Sequence, residues 1–134
     1  MDNQSVKTHD VRATLESMPE LVVSPTTTLE EELSAMHGLG SLNQCSLGLI
    51  RFAGETPWER HPDGDELLHV LDGEVDITVL TVDGAVETTV SAGSVLIVPR
   101  GLWHRQRPRP AVSLLFATPV TGSESSWADD PRRA

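Results

Sequence analysis

Tyrosine is absent from this 134-residue chain, and aromatic residues of every kind make up 4% of it. A packed interior must therefore rest on Val, Leu and Ile. Cys45 is the single cysteine. That excludes an internal disulfide framework and suits a reducing, cytoplasmic setting. Lysine is nearly missing too, with Lys7 alone, so the basic side chains are arginines. Against 20 acidic residues they leave a net charge of -10 and a pI near 4.7. Such a surface repels phosphate backbones and anionic bilayers, so neither nucleic acid nor a membrane is an expected partner. No apolar run approaches the length of a membrane span. Met1 to Asp10 lacks the basic start and apolar stretch of a secretory leader.

What is present divides into three textures. Residues 1–20 are polar, without clear period, and read as a loosely held arm. Thr28 stands three residues before Glu31, a capping-box pattern, and Leu29, Leu33 and Met36 follow at helical spacing. A short helix is expected over Leu29–His37, with Gly38 as its stop and His37 favoured by the helix dipole rather than by a ligand role. From Cys45 the chain turns to β texture. Cys45–Ala53, Glu66–Leu71, Val75–Val82, Val86–Val90, Val95–Val98 and Val112–Ala117 are rich in Val, Leu and Ile, with Gly and Asp between them. Asp83-Gly84 between alternating runs is a hairpin signal. Short strands at regular spacing predict an all-β barrel or sandwich. Residues 121–134 are small and polar and read as a flexible tail.

The chemistry-bearing stretch runs from Gly54 to Pro108. Gly93, Pro99, Gly101 and His104 stand at the spacing G-x5-P-x-G-x2-H, and Glu66 lies seven positions before Gly73. In these residues the sequence resembles the cupin superfamily, whose first motif is G-x5-H-x-H, three or four residues, then E-x6-G, and whose second is G-x5-P-x-G-x2-H-x3-N. Pro108 replaces the final Asn. The first motif is degenerate. A four-residue gap before Glu66 places its two upstream ligands at Glu59 and His61, and a two-residue gap places them at His61 and Asp63. Asp63 belongs to a turn sequence, Pro62-Asp63-Gly64, while Glu59 and His61 share a face of an extended chain. Glu59 is therefore favoured, with Asp63 left open.

The resemblance implies an antiparallel jelly-roll barrel with a short N-terminal helix. It divides the chain into an arm at 1–40, a cupin barrel at 41–120 and the tail at 121–134. It also implies one divalent transition metal held by Glu59, His61, Glu66 and His104. Imidazole with carboxylate suits Mn, Fe, Ni, Zn or Co, and a second carboxylate leans toward Mn or Fe. Strand parity turns His69 away from Glu66 and places Gln106 on the face of His104. Gln106, Trp58 and Trp103 are the candidate substrate-binding residues. Arg51, Arg60, Arg100, Arg105, Arg107 and Arg109 either hold an anionic substrate at the barrel mouth or pair with surface acids, and the second reading is favoured. The expected function is a metal-dependent oxygenase, decarboxylase or isomerase acting on a small organic acid or related metabolite. The alternative is a non-catalytic binding or sensing cupin, metal-free in one version. A homodimer is expected.

Overall fold

The computed structural model describes residues 5–133. Its body is a curled sheet of nine strands. In chain order these are β1 (Leu21–Val22), β2 (His37–Leu42), β3 (Cys45–Ala53), β4 (Trp58–Arg60), β5 (Glu66–Thr81), β6 (Gly84–Ser91), β7 (Val95–Val98), β8 (His104–Pro119) and β9 (Glu124–Ser126). Two helices precede most of the sheet, α1 (Val11–Ser17) and α2 (Leu29–Ala35).

β8 is the spine. It runs antiparallel to β5 along most of its length, to β3 from Ala111 to Pro119, and to β4 at His104. β5 carries β7 beside its first half and β6 beside its second. Alternation along β5 and β8 drives one side chain in two into the concave face. Leu68, Val70, Val75, Ile77, Val98, Val112 and Leu114 meet there, each 2% exposed or less. Burying such side chains contributes about 1.5–3 kcal/mol apiece. The convex face has a smaller cluster, where Leu15 and Met18 of the α1 region cover Leu49. Arg51 ties this region down by donating to the carbonyls of Leu15 and Met18, both at 3.1 Å.

The all-β architecture matches the expectation from the sequence, while several boundaries differ. α1 lies in the stretch read as a loose arm. Asp10 caps it by accepting from the Ala13 N–H at 3.0 Å, and Leu15 supplies a buried anchor. α2 has the expected capping box, in which Thr28 Oγ1 accepts from the Glu31 N–H at 3.1 Å. It ends at Ala35, however, and His37 and Gly38 open β2 instead. The runs read as two strands at Glu66–Leu71 and Val75–Val82 are one strand. Asp72-Gly73 forms an irregularity in the ladder rather than a turn. The hairpin at Asp83-Gly84 is present with Val82-Asp83 as its loop, and Gly84 already pairs with Thr81. Residues 124–126, assigned to a flexible tail, pair with all of β4.

Candidate metal centre

Two turns bring the ligand-bearing segments together. Pro99 to Leu102 is closed by the Leu102 N–H donating to the Pro99 carbonyl at 3.3 Å. Gly101 occupies its third position at φ +79°, a left-handed value that a side chain would resist. The Gly101 N–H donates to the carbonyl of His61 at 3.1 Å, and the Arg100 N–H donates to Asp65 Oδ1 at 2.8 Å. The turn before β8 is thus fastened to the loop before β5. His104 starts β8 with its ring 1% exposed, and Glu66 starts β5 at 7%.

His61, Glu66 and His104 offer ligand atoms that all lie within 4.8 Å of one another. Glu66 is the hub. His104 Nε2 lies 3.0 Å from its Oε1 and His61 Nε2 lies 3.3 Å from its Oε2. Thr118 Oγ1 donates to Oε2 at 2.6 Å. Burial by itself would raise the Glu66 pKa, but the hydrogen bond from His104, the close approach of His61 and the charge of both imidazoles bring it down to about 2. The outer ring nitrogens are held as well. His61 Nδ1 meets Ser123 Oγ at 2.8 Å, and His104 Nδ1 meets the Leu102 carbonyl at 3.3 Å. A carbonyl only accepts, so His104 Nδ1 carries a proton. Its Nε2, facing an ionised carboxylate, carries one too. Burial lowers the pKa of His104, yet Glu66 outweighs it and the net shift is upward from 6.5.

The other expected residues fall on both sides of the site. Glu59 pairs directly with His104 across β4 and β8, so the two side chains share a face. It lies outside the tight three-residue group but lines the cavity beside it. Burial, then the charge of Glu66, pushes its pKa up to about 7. Asp63 is exposed in its turn, accepts from Thr121 Oγ1 at 2.6 Å and lies outside the three-residue group. Gln106 faces inward as parity predicts. Trp58 and Trp103 do not line the cavity. Both face the convex side, Trp58 under Arg105 at 4.4 Å and Trp103 under Arg60 at 4.7 Å. The arginines likewise stay outside. Arg105 pairs with Glu55, Arg107 with Asp76 and Glu87, Arg109 with Asp76, and Arg60 with Glu124.

The cavity is about 350 Å³ and opens beside Leu33 and Met36 of the α2 region and Ser46 of β3. Sequence reasoning missed Thr118 and Ser123. Thr118 had a signal, since it is the polar member of the inward row Val112, Leu114, Phe116 and Thr118. Ser123 had none, because only the fold brings it to His61.

Residues 49–109 match the family model described as the cupin domain. The chain carries a cupin domain. A cupin-2 domain protein from Shewanella frigidimarina superposes with a TM-score of 0.56 at 20% identity, over 70% of this chain and 94% of that one. The uncharacterized protein YdbB of Bacillus subtilis is 36% identical over 77 residues, 58% of this chain. The Bacillus subtilis oxalate decarboxylase, a protein with Mn(II) centres, superposes with a TM-score of 0.55 at 19% identity over 61% of this chain. This cupin spans 66% of the length of YdbB and 24% of the decarboxylase. Among the described residues, no helix is long and apolar enough to cross a membrane.

Proposed function

We propose that this cupin is a metal-dependent enzyme that holds one divalent ion of the Mn(II) or Fe(II) class through His61, Glu66 and His104 and acts on a small molecule in the adjoining cavity. The observation that carries this reading is the convergence of three buried donors, with His61 Nε2 lying 3.3 Å from Glu66 Oε2 yet outside hydrogen-bond geometry to it. A buried imidazole nitrogen without a partner is costly unless something else uses its lone pair. Two imidazoles and a carboxylate form a donor set suited to that class. When bound, such an ion supplies Lewis-acid or one-electron chemistry. The chain supplies the rest. Ser123 and the Leu102 carbonyl fix the two rings, Thr118 orients Glu66, and Glu59 stands at the cavity wall as a proton carrier or additional ligand. The exposed outer-face residues Val95 and Ile97, opposite His69 and Leu67, support a homodimer as the assembly.

The test is Mn(II) titration followed by electron paramagnetic resonance, in which bound manganese loses the sharp signal of the free ion. One bound ion per chain is the expected result, and a linear, unsaturating response contradicts the reading. Ser123→Ala is expected to weaken binding by about 10-fold, the low end for removing a partner of a ligating histidine. Unchanged affinity would place Ser123 outside the machinery.

Binding is also expected to depend on pH in a stated direction. His104 carries a proton on Nε2 that metal must displace, and its pKa is raised above 6.5. Affinity therefore falls as pH drops through and below neutrality, by about one order of magnitude per pH unit for one displaced proton. Glu66, at about 2, does not compete in that window. Titration calorimetry in two buffers of different ionisation enthalpy checks this, since proton release makes the apparent heats differ.

A further inference from the structure

We propose that the cavity takes an uncharged, largely apolar molecule positioned by Gln106, and not a carboxylic acid. This rests on reading the cavity as the ligand site of the centre above, and it narrows the class of ligand.

The walls are apolar. Val23, Ile50, Phe52, Leu68, Leu114 and Phe116 enclose most of the space. The charged residues that line it are Glu32, Glu59 and Glu66, with His61, and no arginine or lysine is among them. Arg60, Arg105, Arg107 and Arg109 are paired with Glu124, Glu55, Asp76 and Glu87 away from the cavity, and Arg100 is exposed and does not line it. An ionised ligand carboxylate would thus enter a largely apolar space with no arginine or lysine to pair with and with three carboxyl groups around it. Burying such a charge unpaired is strongly unfavourable. The lining of the cavity therefore does not favour the small organic acid expected from the sequence.

Gln106 gives the ligand one polar requirement. Its side chain is 7% exposed, it lines the cavity, and its Oε1 is buried without a partner. Its backbone is rigidly placed. The Gln106 N–H donates to Thr56 Oγ1 and the Thr56 N–H donates to the Gln106 carbonyl, both at 3.0 Å. A fixed, unpaired amide oxygen calls for a hydroxyl or N–H on the ligand. The cavity volume of about 350 Å³ suits a compact molecule of two or three rings.

A matched pair of dyes tests the inference. N-phenylnaphthylamine is uncharged, apolar and carries one N–H, and anilinonaphthalenesulfonate is its sulfonated counterpart. Both brighten in apolar surroundings. The uncharged dye is expected to bind saturably at one per chain, and the sulfonate at least about 10-fold more weakly. Ser46→Trp, at an exposed lining position, is expected to block the uncharged dye, and Met36→Trp, also a solvent-exposed lining position, provides the same plug if the first variant fails to fold by circular dichroism. Equal or tighter binding of the sulfonate overturns the inference, as does binding of neither dye or binding that neither plug reduces. Metal content measured on the same samples separates the two readings. Dye selectivity without metal sinks the metal centre alone, and metal without dye selectivity sinks this inference alone.

Discussion

Manganese(II) at one hundred times its dissociation constant is expected to stabilise this cupin by about 2.7 kcal/mol, and Glu66→Gln to remove most of that gain. Glu66 contacts both imidazoles and Thr118, so its replacement takes away the negative ligand and the group that aims the other two. Loss of an outer-shell partner alone costs 10- to 100-fold in affinity. Loss of the hub should cost at least about 100-fold, which leaves roughly 0.4 kcal/mol of stabilisation at the same metal concentration. Each protein is compared with itself, with and without metal, so any direct effect of the substitution on folding cancels. The measurement is thermal or denaturant unfolding at matched metal. An equal metal-induced shift in both proteins would show that Glu66 is not a ligand.

Gly73→Val is expected to destabilise the fold by about 2–5 kcal/mol, with no metal involved. Gly73 sits at φ +78°, where a side chain meets its own carbonyl, and an added Cβ would collide with the Ala111 carbonyl oxygen on the neighbouring strand. Both atoms are backbone, so neither can swing aside. The position is also where β5 shifts register against β8 between Gly73 and Val75. The irregularity there keeps Val70 and Val75 both inside although they are an odd number of positions, five, apart. Gly38→Ala is the control. Its added Cβ would meet nothing within 4 Å, and its φ is not in the left-handed region, so a change within about 1 kcal/mol is expected. A denaturant midpoint for Gly73→Val equal to that of the control would contradict this account of the bulge.

The sequence was most legible where apolar runs are bounded by turn residues. Cys45–Ala53 and Val95–Val98 are strands with the bounds read from the residues alone. It was less legible where one residue type serves two structures. Asp72-Gly73 has the composition of a turn, yet the glycine serves a bulge in a continuous strand. Pro108 and Pro110 conceal the first half of β8, where the strand tolerates proline because the ladder is already irregular beside Gly73 and Val75. At the site, Glu66 and His104 were legible through spacing, and Gln106 through parity with His104. Pairing across strands favours Glu59 over Asp63, since it places Glu59 opposite His104, while Asp63 lies in a turn held by Thr121. The contribution of Ser123 was hidden, because its partner lies 62 residues away. The tryptophans misled because strand neighbours of ligands face the opposite side of the sheet.

The central claim is that His61, Glu66 and His104 hold one divalent transition metal. Elemental analysis of the protein purified without chelators, beside His104→Ala, tests it most directly. The account predicts one manganese or iron per chain in the wild type, directly or after reconstitution, and a metal-free variant that remains folded. A wild type that takes up no metal even after reconstitution, or a variant that retains its full complement, would contradict it.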